Sequence, residues 1–550
     1  EILIGLVGSE MCIRDRLLAD AGFQKNVRLG VSWMNKKRRG KAVAVIDIGS
    51  SLIQMRVSQL CDGAITDIDV LRYPTQIGHE VFSTGKISFD SLKEMISVLR
   101  GYAQVMLEYG VTQYKVVATS VLREAKNRAY VVDQIKIQND MAIEVLEDDQ
   151  EKTLIYSEIL NGAMQDSSEK IDTALISYIG TGSIGLAIYD RESVVFSQNI
   201  AMGSLKLHDL LSGLQDRTEE FYQVLHEYLA STLGRIQVPA YLEKLNNMVV
   251  AGNEIELIAK LCAAPLEKGR YSIDAKKLEE VYHQVRVMTK EQISERYQLS
   301  ENQAEILYFS LAICRHLLDC TLAKRILCPK VELWDALVRQ LLFSKCKGAY
   351  DDQVRENAIS CALQMVEHYG ASRAHDLVTR DYALKIFDKM KKHHGMGPKK
   401  RLLLELAAIL HEIGYYVNSK NHLLSTYDLI KNSDIYGMTQ EEVNLIGIIA
   451  SYCEFSVPDY DDHEYQRLTE KNRLFVDKLV AILRLANALD RSQKQKLQSL
   501  TVRLKEEILT LTGVSDEDMH LEQWAFEECA PFFEEVFGIK PQFIMKTLMF

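Results

Sequence analysis

KAVAVIDIGSSLIQMRV, residues 41–57, joins an apolar run to a carboxylate, a glycine and two hydroxyl side chains. The β-branched residues at its start predict a buried strand, and the apolar alternation from 53 to 57 predicts a returning strand. Asp47 ends the first strand, Gly49 permits a tight turn, and Ser50 offers a hydroxyl to phosphate oxygens. A phosphate-binding hairpin and a plain Gly-Ser turn both fit this stretch.

A second stretch repeats the same order at residues 173–190, TALISYIGTGSIGLAIYD. Gly180, Gly182 and Ser183 supply the small and hydroxyl residues of its turn. Two hairpins of one kind predict two related halves that face one cleft, each presenting backbone N–H groups to the same phosphorylated ligand.

Five motifs then follow one another along the chain: DIGSS at 47–51, ATSVLREAKN at 118–127, EVLEDDQEKTLIY at 144–156, YIGTGSIGL at 178–186 and AMGSLKL at 201–207. In this order they resemble the exopolyphosphatase and guanosine pentaphosphate phosphohydrolase (Ppx/GppA) family. The resemblance implies two actin-like, ribonuclease-H-like α/β halves, followed by an all-α HD-like domain and a small α/β cap.

The expected fold class is therefore α/β plus α, and the expected boundaries follow the motifs. They are a non-native or disordered leader at 1–33, a first actin-like half at 41–165, a second half with a helical extension at 166–335, the HD-like domain at 340–492 and the cap at 493–550. The leader resembles translated adapter sequence, which makes Met34 the expected start, although a genuine amphipathic leader fits too. In the cap, a helix over 521–537 is expected to pack Trp524, Phe526 and Phe533 inward.

Composition limits the possible functions. The 550 residues are enough for several domains, and a hydrophobic content of 47% is enough for packed cores. The formal charge of −11 argues against general nucleic-acid binding, and no apolar run is long enough to span a membrane. Ten cysteines without a C-x-x-C pair favour free thiols in a reducing, cytoplasmic compartment.

The resemblance also implies roles for individual residues. Glu151 falls at the position of the glutamate that activates water, a role suited to a carboxylate near a phosphoryl centre. Arg123 is expected to contact phosphate, because a guanidinium can hold two phosphate oxygens. Asp47 is expected to bind Mg²⁺ or Mn²⁺. Further phosphate contacts are expected from Gly49, Ser50, Gly180, Gly182 and Ser183. The alternative interpretations are a solvated acidic face for 147–151 and a solvated arginine at 123.

The chain departs from the family pattern at two acidic positions of the second hairpin. Tyr178 stands at the aspartate position and Gly185 at the glutamate position, and in the family those carboxylates hold the metal or order its waters. We therefore expect weak metal binding and weak turnover, and we expect Tyr178→Asp with Gly185→Glu to raise the turnover. In the later loop VVAGNEIEL, Glu254 replaces a small residue and is expected to repel phosphate.

Two helical segments, at 372–388 and 401–416, resemble the HD-type domain that accompanies this family. His375 matches the first ligand position of the HD pattern, and His411 with Glu412 occupies the His-Asp position. A pair of histidines with a carboxylate suits a divalent metal. The expectation is nevertheless no stoichiometric metal, because the further ligand positions hold Leu424, Cys453 and Asn487, with only His422 remaining nearby.

Three functions remain open at this point. The first is a phosphohydrolase that releases terminal phosphate from inorganic polyphosphate or guanosine pentaphosphate, expected to form a homodimer as its family members commonly do. The second is a non-catalytic regulator that binds the same polyanion or alarmone. The third is a structural relic whose helical half mediates dimerisation.

Overall fold

The fold is taken from a computed structural model, which describes residues 41–61, 63–162, 171–215, 217–218, 220–234, 245–343, 347–454, 456–458 and 462–546. The expected leader at 1–33 and Met34 lie outside the described residues. The chain divides into two compact units. Among the described residues, those from 41 to 146 and from 334 to 343 form the first unit, and those from 147 to 333 and from 347 to 546 form the second. The five domain boundaries expected from the sequence stay predictions.

The strands are β1 (Val43–Ile48), β2 (Leu52–Cys61), β3 (Ala64–Pro74), β4 (Gln113–Ala118), β5 (Ile143–Val145), β6 (Thr173–Ile179), β7 (Ile184–Asp190), β8 (Ser193–Ile200), β9 (Met248–Gly252), β10 (Leu266–Glu267), β11 (Arg270–Asp274), β12 (Arg325–Pro329), β13 (Ser499–Lys505), β14 (Ile508–Val514) and β15 (Lys540–Lys546).

The helices are α1 (Ile77–Thr84), α2 (Phe89–Glu108), α3 (Ser120–Glu124), α4 (Arg128–Asn139), α5 (Asp148–Gly162), α6 (Ser204–Gln215), α7 (Phe221–Leu233), α8 (Ile255–Leu261), α9 (Ala275–Val285), α10 (Lys290–Tyr297), α11 (Glu301–Asp319), α12 (Leu333–Leu342), α13 (Lys347–His368), α14 (Arg373–Lys389), α15 (Lys391–His394), α16 (Pro398–Leu410), α17 (His422–Lys431), α18 (Gln440–Ser451), α19 (His463–Gln466), α20 (Glu470–Ala488) and α21 (His520–Phe537). A short 3-10 helix covers Ile413–Tyr416.

The first unit is built on a five-stranded sheet with the order β3-β2-β1-β4-β5. β1, β2 and β3 form antiparallel pairs, whereas β4 and β5 run parallel to β1. β1 is buried along its whole length, as its unbroken apolar sequence predicts for a central strand. The strand-turn-strand prediction for residues 41–57 is therefore confirmed.

The second unit contains a seven-stranded sheet that repeats this order as β8-β7-β6-β9-β12 and extends it with β11 and β10. Again the first three strands are antiparallel neighbours, and the next two run parallel to the central strand. Two sheets with one strand order confirm the expected pair of actin-like, ribonuclease-H-like halves.

The two hairpin turns are also closed in the same way. Gly49 N–H donates to the carbonyl of Leu52 at 2.9 Å, and Gly180 N–H donates to the carbonyl of Ser183 at 3.0 Å. The repeat seen in the sequence is thus a repeat of backbone geometry.

The second unit continues into the expected all-α region, α13 to α20, whose core is formed mainly by leucine, isoleucine, valine and alanine side chains. This region is hydrogen-bonded to the sheet through α13. Asn357 Oδ1 accepts the backbone N–H of Val194 at 2.9 Å, and both residues are buried. The amide side chain thereby gives edge strand β8 a partner in place of another strand.

The chain ends in the small α/β cap that the sequence predicts. β13 pairs antiparallel to β14, and β15 returns parallel to β14 after α21. Phe526 and Phe533 of α21 are buried as predicted, whereas the prediction for Trp524 was wrong, because half of its surface is exposed. Within the described part of the chain, no helix combines the length and the apolar character needed to span a bilayer.

Candidate functional site

The start of α5 lies against the turn of the second hairpin. The ammonium of Lys152 is 2.8 Å from Oγ of Ser183 and 3.1 Å from Oδ1 of Asp148. The Ser183 hydroxyl in turn donates to the same Asp148 oxygen at 2.7 Å. We call these three side chains the lysine cluster. It joins the helix that carries Glu151 to the loop that was expected to bind phosphate.

Lys152 is almost completely buried, with 1% of its surface exposed. Its ammonium lies 5.0 Å from the centroid of the Tyr178 ring and 3.8 Å from Oε1 of Glu151. Burial of an ammonium is costly unless acceptors surround it, and here a carboxylate, a hydroxyl and an aromatic face do so. Lys152 was not among the residues expected from the sequence, where its one signal is a lysine just before the apolar run from 154 to 156. Its burial is seen in the structure, in which residues 151 to 160 of α5 are all buried.

Gly185 faces Tyr178 across the β6–β7 pair. A Cβ atom on Gly185 would lie 2.3 Å from the hydroxyl oxygen of Tyr156 and 2.9 Å from Cδ of Lys152. Any side chain at this position must therefore displace Tyr156 and Lys152. This packing argues against the gain in turnover expected from Tyr178→Asp with Gly185→Glu, because Lys152 and Tyr156 fill the space that the glutamate would enter.

The hairpin glycines are placed in the turns as predicted, but two of their amides are already used. The N–H groups of Gly49 and Gly180 close their own turns, so phosphate binding at those residues would need other backbone groups. Gly182 is buried within the second turn, and Ser183 takes part in the lysine cluster. Phosphate binding by these residues stays a prediction.

The remaining predicted residues of the actin-like halves belong to the first unit. Asp47 Oδ2 accepts a hydrogen bond from the Gln54 side chain at 3.0 Å. The carbonyl of the buried Ser50 accepts the N–H of Gly78 at 2.9 Å. Arg123 donates through Nη1 to the carbonyl of Leu146 at 2.9 Å. Their expected meeting with the second hairpin across a cleft stays a prediction.

A second polar group surrounds Asp149, next along α5. The side chain of Asn199 donates to Asp149 Oδ1, and the backbone N–H of Asn199 donates to Asp434 Oδ2 at 2.7 Å. Burial, together with repulsion from Asp434 and Asp148, raises the pKa of Asp149 to about 7. No pattern in the sequence indicates this group, because its members lie far apart along the chain.

Glu254 does not lie as an exposed charge. Its side chain is buried, and Oε2 is 3.3 Å from the hydroxyl of Ser310 and 3.5 Å from that of Ser204. Burial raises the pKa of Glu254 to about 7. These contacts do not support the expected repulsion of phosphate by Glu254, because its carboxyl group is enclosed by α6 and α11.

A sequence model of the Ppx/GppA phosphatase family matches residues 56–328, and a model of Ppx/GppA phosphatase domain III matches residues 354–527. The chain belongs to the Ppx/GppA phosphatase family. The first match covers most of the two actin-like halves, and the second covers most of the helical region. Both parts therefore belong to the domain organisation of this family.

Curated relatives of this Ppx/GppA protein include the guanosine-5'-triphosphate,3'-diphosphate pyrophosphatases of Aeromonas salmonicida and Aeromonas hydrophila subsp. hydrophila. Each is 20% identical, over 85% of this chain and 92% of the relative. Similar solved structures include the Ppx/GppA family member of Aquifex aeolicus, 20% identical with a TM-score of 0.46 over 56% of this chain and 98% of the other. An exopolyphosphatase from Cytophaga hutchinsonii is 17% identical with a TM-score of 0.48 over 55% of this chain and 98% of the other.

The Ppx/GppA domain III of this chain brings the predicted HD-like residues together. His375, His411 and Glu412 are buried, and one potential ligand atom of each lies within 4.8 Å of the others. His375 Nε2 is 3.8 Å from Oε1 of Glu412 and 3.1 Å from Oδ1 of Asn487. We call these four residues the histidine cluster.

Neighbouring groups fix the orientation of both imidazoles. His375 Nδ1 is 2.8 Å from Oδ2 of Asp490, and His411 Nδ1 is 2.9 Å from the carbonyl of Ala408. When these nitrogens carry the protons, each Nε2 presents a lone pair. Burial and the neighbouring His375 lower the pKa of His411 to about 3, so His411 is a neutral imidazole near pH 7.

The interior around the histidine cluster holds one more acid. Asp376 is fully buried beside His411, with 3.5 Å between Oδ1 and Nδ1. Burial and repulsion from Glu412 raise the pKa of Asp376 to about 9, so this acid is protonated near pH 7. His422, the other histidine singled out from the sequence, stacks on Tyr415 with 3.9 Å between ring centroids.

Proposed function

We propose that this Ppx/GppA protein is a phosphohydrolase that releases terminal phosphate from inorganic polyphosphate or guanosine pentaphosphate. The supporting observation is the lysine cluster, which joins the helix of Glu151 to the second hairpin through the contact of Lys152 with Ser183. The names of the Aeromonas relatives support guanosine pentaphosphate as one of the two substrates.

In the proposed reaction, Glu151 accepts a proton from water as the water oxygen attacks the terminal phosphorus. The bond from that phosphorus to the bridging oxygen breaks, which leaves inorganic phosphate and a chain shorter by one phosphate. Arg123 binds the phosphoryl oxygens through its guanidinium, and Ser183 binds them when its hydroxyl turns from Asp148 to the substrate. These roles position the substrate and stabilise its charge.

The family resemblance implies Mg²⁺ or Mn²⁺ as a cofactor, with Asp47 of the first unit as one ligand. The second hairpin does not fit a divalent cation, because the Lys152 ammonium and its methylene groups fill the space beside Tyr178 and Gly185. An ammonium repels a metal ion and offers it no lone pair. No step of the proposed reaction therefore passes through a metal at this hairpin.

Phosphate release from long-chain polyphosphate and from guanosine pentaphosphate tests the proposal, with Mg²⁺, Mn²⁺ and a chelator compared. Glu151→Gln should reduce the rate by about 10²- to 10⁴-fold, because it removes the general base and keeps the size of the side chain. Binding of the substrate should remain in this variant, since glutamine carries no charge that repels phosphate.

Glu158→Gln is the matched control, because Glu158 is another buried glutamate of α5. Equal losses in the two variants would mean that α5 is merely damaged, and would contradict the role of Glu151. Binding of substrate by the wild-type protein without any phosphate release would favour the regulator over the enzyme.

A cytoplasmic location and a homodimer remain part of the proposal. Free thiols at eight cysteines of the described residues support a reducing compartment. Light scattering of the purified chain tests the homodimer.

A further inference from the structure

We infer that the ammonium of Lys152 supplies a permanent positive charge at the second hairpin. This charge lets the protein bind a linear phosphoanhydride without a divalent metal. The inference rests on the proposed function, because it concerns the same phosphate-binding turn. It goes beyond that function by assigning the positive charge at this turn to a side chain of the protein.

The first reason is the position of the ammonium. It lies 2.8 Å from Ser183 of the turn and 5.0 Å from the ring of Tyr178. Tyr178 and Gly185 face each other in the β6–β7 pair, and the stem of Lys152 lies where a side chain on Gly185 would extend. The ammonium therefore takes up the side of the hairpin at which two carboxylates with a metal would need space.

The second reason is the balance of charge around α5. Asp148 and Glu151 both lie close to the ammonium, with oxygens at 3.1 Å and 3.8 Å. Two carboxylates repel an approaching polyanion, and a fixed cation beside them reduces that repulsion. Burial strengthens the effect, because the ammonium is screened from water and its position is held by Ser183 and Asp148.

A structural ion pair between Lys152 and Asp148 is the competing explanation of the same contacts. The two explanations differ in what removal of the carboxylate should do. If Lys152 only completes a pair, Asp148→Asn should harm the hairpin as much as removal of the lysine. If the positive charge attracts phosphate, Asp148→Asn should leave binding equal or tighter, since the charge of Lys152 is then less neutralised.

Calorimetric titration of the full chain with tripolyphosphate, in a chelating buffer and again with Mg²⁺, tests the inference. The wild-type affinity should be the same in both buffers within about threefold. Lys152→Met keeps the length of the side chain without its charge, and should weaken binding by about 10- to 100-fold in the chelating buffer. Asp148→Asn should not weaken it.

Lys277→Met is the matched control, because it removes a lysine paired with Glu280 on the exposed face of α9. Melting curves of all variants show that each is folded when its affinity is measured. Wild-type binding that needs Mg²⁺ overturns the inference and leaves the proposed function standing. An unchanged affinity in Lys152→Met, or equal losses in Lys152→Met and Asp148→Asn, also overturns it. Absence of wild-type binding in both buffers contradicts the proposed function itself.

Discussion

The backbone N–H of Asn199 in β8 donates to a carboxylate oxygen of Asp434, 2.7 Å away in the helical region. The side chain of the same asparagine donates to Asp149 at the start of α5. Asn199 thus connects domain III with the helix that carries Glu151. Its contact on α5 is one residue from Asp148 of the lysine cluster.

Asp149 should make the folded protein less stable as the pH rises. Its pKa is about 7 in the fold against 3.8 as the ordinary value, so folding favours the protonated acid. That stabilisation is complete below about pH 4 and is lost as the pH rises to about 7. Relative to the wild type, Asp149→Asn should gain about 3 kcal/mol of unfolding free energy between pH 5 and pH 8.

Urea denaturation at the two pH values measures this gain. Asp133→Asn, which removes an exposed carboxylate from α4, is the control for the loss of one negative charge. If the unfolding free energies of the wild type and Asp149→Asn change with pH in parallel, the surroundings formed by Asn199 and Asp434 do not control the ionisation of Asp149.

Tyr178→Asp with Gly185→Glu should not raise turnover unless the space for the two carboxylates is also cleared. Gly185→Glu alone should cost about 1–3 kcal/mol or more of stability, because its Cβ would lie 2.3 Å from the Tyr156 hydroxyl. Gly213→Glu is the matched control, since no atom of another residue lies near the Cβ position of Gly213. The protein should tolerate Tyr178→Asp together with Gly185→Glu only when Lys152→Ala and Tyr156→Phe are also introduced.

Thermal melting and phosphate release check this prediction together. If Tyr178→Asp with Gly185→Glu folds normally and raises turnover without further changes, the described packing of Lys152 and Tyr156 does not govern the hairpin.

Glu254→Gln should stabilise the protein above neutral pH. The wild-type pKa of about 7 lies above the ordinary 4.5, so the buried acid loses stabilisation as the pH rises from about 4.5 to 7. A glutamine remains neutral and can keep hydrogen bonds to Ser204 and Ser310. The melting temperature of the variant should exceed that of the wild type at pH 8 and approach it at pH 5, with the exposed Glu267→Gln as control. A gain of equal size at both pH values would contradict this origin.

The histidine cluster should bind one divalent transition-metal ion, contrary to the expectation from counting ligands in the sequence. Asn487 donates through Nδ2 to the carbonyl of Cys453, which turns Oδ1 towards Nε2 of His375. Two imidazole nitrogens, the Glu412 carboxylate and this amide oxygen thus converge as acceptors. Such a set suits Zn²⁺, Mn²⁺ or Fe²⁺. A proton on Nε2 of His375 is the alternative way to satisfy these acceptors.

Elemental analysis after loading and desalting should find one equivalent of metal in the wild type and little in His411→Gln. His394→Gln is a matched control, because His394 is a buried histidine of the same region with contacts to the Phe387 carbonyl and the Met396 N–H. Chelation should lower the melting temperature of the wild type and leave that of His411→Gln unchanged. A wild type that retains none of the three metals would favour the protonated His375.

Much of the fold was accessible from the sequence, because its signals are local. The apolar run before Asp47, the small residues of the two turns and the alternation after them each specify a hairpin within about 17 residues. Repetition of the hairpin then predicted two related halves. Trp524 shows where the same reasoning fails, since apolar spacing in a helix does not say which apolar residue stays on the surface.

By itself the sequence determined the strand-turn-strand units, the family, the helical region and the types of residue in the candidate sites. Tertiary structure alone decided which of those residues meet. Lys152 reaches Ser183 across 31 positions, and Asn199 connects Asp149 with Asp434 across 50 and 235 positions. The reason is physical: local patterns fix backbone geometry, whereas the space around Gly185 and the partners of a buried ammonium depend on side chains brought together by packing.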